Sequence, residues 1–314
     1  MKHVLVVNFS QTGQLAEIAG QIVAPLRSAG HVVHVETLVP ETPFPFPWPI
    51  IDFVDVFPEC VQLDAPPLKP LQIAADSRFD LVILCYQVWY LAPALPMTAF
   101  LKSADGQRLI RDTPVVTVVA CRNMWLSAQE AMKRLIAEAG GKLRDHIAFV
   151  DQGHPLATFI TTPRWVLTGR RDRFLGMPPA GVSPAEIRAA GRFGRALGDA
   201  LKADAERRDG PLLGGLRAVT VNPRLAISER AGRRAFGVWS RLIRLCGRRG
   251  QWRRRPALLV FAIYLIAMVL TVVPASLLIQ WLFSPLLRPR LARLRAELER
   301  PSGSGEFNLH KYEP

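Results

Sequence analysis

His3-Val-Leu-Val-Val-Asn-Phe9 runs directly into Ser10-Gln11-Thr12-Gly13-Gln14. The residues that follow, Leu15 to Ser28, set Ile18, Ile22 and Leu26 one helical turn apart and stop before Gly30. A short apolar run, a turn of hydroxyls and glycine, and a segment of helical period predict strand, turn and helix. The same rhythm recurs downstream. Val32–Leu38 reads as a second strand, and Asp80–Tyr86 and Pro114–Ala120 as buried strands. Pro96–Ser103 opens a short helix with proline early in it. Ser127–Gly140 reads as a helix capped by Ser127 with Glu130 three residues on. Ile147–Asp151 is a fifth strand, and Ser183-x-x-Glu186 begins a helix expected to reach about Arg208. Five apolar strands alternating with amphipathic helices predict an α/β fold with a parallel sheet covered on both faces.

In such a sheet ligands sit beyond the carboxyl ends of the strands. The chain places Ser10–Gln14, Tyr86–Leu91, Cys121–Trp125 and Gln152–His154 there. The first turn is neither G-x-G-x-x-G nor G-x-x-x-x-G-K-[ST], which removes support for a dinucleotide fold and for a P-loop NTPase. Hydroxyls and a glycine at a helix N-terminus still make an anion site, because free amides point outward and the helix dipole favours negative charge. With no Lys or Arg in the turn, a single phosphate held by neutral donors is expected.

On these residues the chain resembles the flavodoxin-like family, whose phosphate loop reads [ST]-x-T-G-x-[TS] and holds the FMN phosphate. Ser10, Thr12 and Gly13 match, with Gln11 between them. The sixth position is Leu15 rather than a hydroxyl, which puts one phosphate contact in doubt and leaves Gln14 as its substitute. Val88 to Leu101 (VWYLAPALPMTAFL) looks like the loop and helix after the third strand in flavin quinone reductases. That resemblance implies flavin contacts from Gln87, Val88, Trp89 and Tyr90, with Trp89 or Tyr90 against the isoalloxazine. Cys121, Arg122, Asn123 and Trp125 would fill the loop after the fourth strand. Pro178-Pro179-Ala-Gly181-Val-Ser183 before the last helix is similar as well. The resemblance covers roughly residues 1–205 and implies a doubly wound five-stranded sheet with FMN as cofactor.

Residues 39–79 break the rhythm. Nine prolines between Pro40 and Pro70 are interleaved with Phe44, Phe46, Trp48, Phe53 and Phe57. An insertion of this length and greasiness is expected to serve function or face a membrane. The rest of the chain points the same way. Its 314 residues carry 40 Lys+Arg against 26 Asp+Glu, a net +14, yet mean hydropathy is +0.15. Between Asp209 and Arg255 stand 12 Arg, no Lys, and only Asp209 and Glu229 as acids, so this stretch alone carries +10. It runs into Ala257–Phe283, 27 residues without a charge. A bilayer core needs roughly 20 apolar residues in a helix, so 257–287 is expected to be membrane-embedded. The 209–256 stretch would then lie on anionic lipid. No recognition motif supports nucleic-acid binding.

Arginines flank the apolar run on both sides, Arg253–Arg255 before it and Arg288 to Arg295 after it. A single span is therefore weighed against a re-entrant hairpin turning at Pro274. No signal peptide is read at the N-terminus, so the expected location is the cytoplasmic face of the inner membrane, with a C-terminal anchor. Residues 288–314 are read as a basic segment and then a flexible tail. The four cysteines are too scattered for a disulfide scaffold, and the six histidines form no zinc pattern.

The layout of F-S-Q-T-G-Q, a Cys-Arg-Asn-Met-Trp loop, a Pro-rich insertion and a hydrophobic anchor is similar to the dialkylresorcinol-pathway proteins. That family implies a dehydrogenating aromatase, which turns a 2,5-dialkylcyclohexane-1,3-dione into a resorcinol. It also implies a lipophilic substrate and a ketosynthase-like partner for ring condensation. The chemistry asks for a hydride acceptor, a holder for the enolate oxygens and a proton acceptor. Arg122, His154 and Tyr86 are the candidates. Rival expectations are a tethered flavodoxin donating electrons to a membrane enzyme, an NAD(P)H:quinone reductase, and a flavin-free scaffold.

Overall fold

The computed structural model describes residues 1–74, 76–272, 275 and 284–312. Five strands form one parallel sheet: β1 (His3–Asn8), β2 (Val32–Thr37), β3 (Leu81–Trp89), β5 (Pro114–Cys121) and β6 (Lys142–Val150). A two-residue β4 (Ala92–Pro93) folds back antiparallel on the end of β3. The spatial order is β2-β1-β3-β5-β6. Counting the parallel strands alone this is 2-1-3-4-5, the flavodoxin-like order, with its topological switch point between β1 and β3. β1, β3 and β5 are runs rich in Val, Leu and Ile because both their faces are covered, leaving little room for polar alternation. Val4 to Val7 and Leu81 to Cys85 are all at most 1% exposed.

The helices are α1 (Gln14–Ser28), α2 (Ile50–Asp55), α3 (Phe57–Gln62), α4 (Leu95–Lys102), α5 (Ala104–Ile110) and α6 (Leu126–Glu138). They continue with α7 (Thr158–Thr168), α8 (Pro184–Ala189), α9 (Gly191–Lys202), α10 (Pro223–Leu245) and α11 (Arg255–Ala267). Helix α1 packs on α8 and α9, while α4 packs on α5 and α6. The α1–α9 approach is close at Gly194, where a Cβ would collide with the Ile22 carbonyl.

Four expectations are corrected. The helix expected from Ser183 to Arg208 is two helices joined by a tight turn at Ala190. There Arg192 Nη1 donates to the Ala189 carbonyl at 2.9 Å, and the second helix ends at Lys202. Ser127 is not the cap of α6. Glu229 on α10 accepts the Ser127 amide at 2.5 Å and the Leu126 amide at 3.3 Å. The core does not close at residue 208 either. Leu213, Leu216, Ala218, Val219 and Val221 are buried in it, and the Ala148 amide donates to the Ala218 carbonyl at 2.9 Å. Finally, the segment expected as a flexible tail packs back on this strip. Arg217 and Val219 amides donate to the Gly305 and Gly303 carbonyls at 2.8 and 3.2 Å, and the His146 amide donates to Ser302 Oγ at 2.7 Å.

The insertion supplies α2 and α3. Their inner faces meet α10 and α11 in a second apolar cluster of Val54, Phe57, Val61, Ile243, Leu258 and Phe261. The Phe57 and Phe261 rings stack at 3.9 Å. Trp252–Thr271 is long and apolar enough to cross a membrane, and only 17% of its most apolar window is buried by protein. The hairpin expected at Pro274 lies outside the described residues.

Candidate functional site

The four strand-end loops form a crescent around the switch point. At the end of β1 the Asn8 Oδ1 and Ser10 Oγ atoms are buried without a hydrogen-bond partner among the described residues. Gly13 caps α1 in the left-handed region, φ +84°, a conformation that favours glycine. A Cβ built there would meet nothing within 4 Å, so open space lies before the turn. The first amides of any helix lack intrahelical acceptors. A phosphate group therefore fits: a hydroxyl in need of a partner, outward amides, the positive end of α1, and room.

Gln11 and Gln14 are tied elsewhere. Gln14 Oε1 accepts the Val182 amide at 2.9 Å and its Nε2 donates to the Val182 carbonyl at 3.0 Å. It clamps the 178–183 loop and does not stand in for the missing hydroxyl at Leu15. The Gln11 amide donates to Gln87 Oε1 at 3.4 Å. Its side chain accepts from Trp48 Nε1 at 2.8 Å and donates to the Pro45 carbonyl at 2.8 Å. The Ser10–Gly13 turn is thus bound to the insertion.

After β3, Val88 and Trp89 pair with Pro93 and Ala92. The two-residue turn between them, Tyr90 and Leu91, has φ +50° and +60°. Both central residues of such a hairpin turn need positive φ, and Asn-Gly is the comfortable choice. Tyr and Leu there carry strain, and such strain persists where surroundings enforce it. Here the Tyr90 hydroxyl donates to the Phe53 carbonyl at 2.6 Å, and its ring packs on Phe53 and Phe57. Trp89 is ringed edge-on by Phe9, Phe44 and Trp48 at 5.0–5.8 Å. Both aromatic residues therefore contact the insertion, which covers this part of the crescent.

After β5, Arg122 lays its guanidinium 3.8 Å over the Phe159 ring. No carboxylate lies in ion-pair reach among the described residues. Desolvation pushes its pKa down to about 10. Asn123 Nδ2 reaches Thr158 Oγ1 at 3.4 Å. Burial pushes the Cys121 thiol up, so it is no ready thiolate. Trp125 is buried against His146, 4.7 Å between rings. Tyr86 is fully buried, its hydroxyl donating to Gln129 Oε1 at 2.7 Å, and its pKa is raised well above the usual range by burial. It belongs to the core and cannot exchange protons with a ligand.

After β6, Asp151 accepts the Gly153 amide at 2.7 Å and the Gly181 amide at 2.5 Å, with burial raising its pKa. His154 is exposed, and its Nδ1 accepts the Leu156 amide at 3.3 Å. Two clefts lie off the turn. One of about 490 Å³ reaches the crescent through Asp151 and Gln152. Another of about 690 Å³ opens between α6 and α10.

Sequence reasoning missed Trp48, Asp151, Phe159 and Glu229. Trp48 was visible as part of the aromatic insertion. The other three act through partners 30 to 103 residues away, which no local pattern encodes.

No family model matches the chain, and no curated protein does. Solved structures similar to it include a flavoprotein in complex with FMN from Lactobacillus acidophilus NCFM, 17% identical, TM-score 0.39, covering 47% of this chain and 93% of that one. A flavodoxin from the domain Archaea is 12% identical, TM-score 0.36, covering 64% and 99%. A flavone reductase is 11% identical, TM-score 0.36, covering 68% and 67%. The fold assignment itself rests on strand order and connectivity.

Proposed function

We propose that the chain is a membrane-attached, FMN-dependent oxidoreductase for a lipophilic substrate. The observation that carries this is the phosphate turn: an unpartnered buried Ser10 hydroxyl and a left-handed Gly13 open α1 at the switch point of a 2-1-3-4-5 sheet. Ser10, Thr12 and the first amides of α1 would hold the phosphate, and Gln87 with the Cys121–Asn123 loop would border the ring system. FMN, when bound, supplies the hydride acceptor.

The substrate class follows from the aromatic insertion and the apolar helix beside it, and the resemblance to the dialkylresorcinol-pathway aromatases makes it specific. A 2,5-dialkylcyclohexane-1,3-dione is acidic enough to arrive as its enolate. From that enolate, loss of a hydride from one ring carbon and a proton from its neighbour leaves the resorcinol monoanion, which takes a proton back from solvent to give the resorcinol. Arg122 suits the enolate oxygen, being a cation with no carboxylate partner, desolvated enough for its field to be felt. The covering of Trp89 and Tyr90 by the insertion favours an enclosed substrate over an electron donor, which needs an open flavin edge.

The test is the visible spectrum of the chain purified in detergent. Flavin bands, FMN on denaturation, and anaerobic bleaching by the dione support the reading. Bleaching by NAD(P)H with a quinone as acceptor favours the quinone reductase instead. A colourless protein that takes up no FMN leaves a scaffold. Ser10→Ala is expected to weaken FMN binding about tenfold, the effect of one hydrogen bond to a charged group, without lowering the melting temperature.

A further inference from the structure

Helix α11 is apolar all round, so its outward side needs a nonpolar medium. Leu258 and Phe261 face the protein, while Leu259, Ile263 and Ile266 are exposed. The same surface continues beyond α11. Val54, Phe57 and Ile243 lock α2, α3 and α10 against α11. Ile50 and Ile51 at the start of α2 are 64% and 53% exposed, and Leu242, Leu245 and Trp252 are exposed as well. Arg241, Arg248, Arg253 and Arg255 are exposed with no carboxylate in ion-pair reach among the described residues. Arg244, by contrast, is paired with Asp64 at 3.0 Å.

A rigid link ties this surface to the crescent. Arg254 at the root of α11 is fully buried. Its Nη1 and Nη2 donate to Glu59 at 2.9 and 3.1 Å, and Nη2 also donates to the Asp55 carbonyl at 3.1 Å. Its Nε stands 3.1 Å from Asp55 Oδ1. At its other end the insertion holds Gln11 through Trp48.

We infer that the tip of the insertion, Ile50-Ile51, is itself a lipid-contacting element. It docks with α10 and the root of α11 on an anionic bilayer, so that the membrane holds the insertion over the crescent. This deepens the membrane reading proposed above and rests on it. The unpaired arginines choose anionic headgroups, and the aliphatic residues between them suit the boundary of headgroups and acyl chains.

The test uses the full chain with Cys246→Ser, carrying an environment-sensitive fluorophore at Ile51→Cys, at Ile263→Cys, or at Glu138→Cys as an exposed control. Vesicles contain either phosphatidylcholine alone or one-third phosphatidylglycerol, each with a doxyl-labelled lipid as quencher. A blue shift and loss of emission at 51 in the anionic vesicles, reduced in the neutral ones and absent at 138, is the expected result. Quenching at 263 without quenching at 51 overturns the inference and leaves the anchor standing. Equal quenching at 51 in both vesicles removes the role of charge and overturns it as stated. No quenching at either position, with cross-linking between labelled copies, makes the face an inter-copy contact and overturns the membrane reading too.

Discussion

His146 and Asp145 are neighbours on β6 with opposite pH responses. His146 is buried, with Nδ1 2.9 Å from Thr117 Oγ1 and Nε2 unpartnered among the described residues. Burial pushes its pKa down to about 3. The unfolded chain takes up that proton near pH 6.5, so the stability held by neutral His146 is complete above 6.5 and drains away as the pH falls toward 3. Burial pushes Asp145 up to about 6. Its folded form keeps the proton while the unfolded form loses it near 3.9, so stability falls as the pH rises from about 4 to 6. Between those values the two slopes oppose each other, and the native chain should be nearly flat there. Asp145→Asn, which keeps an oxygen for the Leu212 amide, should be more stable at pH 7 and fall steadily from pH 6.5 to 4. His146→Gln should instead gain stability over that fall. Denaturant midpoints in detergent between pH 4 and 7 check the crossing. Parallel curves for the two variants would refute it.

The α6 start shows what separates legible elements from illegible ones. The strands were readable because a sheet covered on both faces demands unbroken apolar runs, and β1, β3 and β5 have them. Gly13 was readable because a turn into a helix needs it. The cap of α6 was not, because Ser127 and Glu130 satisfy the local pattern while a carboxylate from α10 takes the amides. Gln14, Tyr86 and Trp125 misled for a related reason: each stands at a loop by sequence, but its side chain turns into the core or to a distant loop. Glu229→Gln retains one weaker acceptor and loses the charge that meets the α6 dipole. The expected cost is about 1–2 kcal/mol, read as a lower melting temperature with unchanged helix content at low temperature. Glu130→Ala, which would break the cap expected from sequence alone, should leave the stability within about 0.5 kcal/mol of the parent.

For the whole molecule, the insertion is the feature that joins everything else. It touches the turn after β1 at Gln11, the strained turn at Tyr90, and the root of α11 at Arg254. Arg254→Ala would leave Asp55 and Glu59 facing an apolar cluster without their cation. A loss of about 3–5 kcal/mol is expected, visible in the unfolding midpoint and in faster proteolysis around residues 44–62. The Glu59–Arg254 contact spans 195 residues. As the chain leaves the ribosome the N-terminal sheet strands come first, yet Phe57, which meets Tyr90 early, lacks Phe236 and Phe261 until the last quarter has emerged. The nascent protein therefore carries the α10- and α11-facing side of Phe57 in the open for most of its synthesis. Its solubility during that interval depends on what shields that ring before α10 and α11 arrive, such as a chaperone.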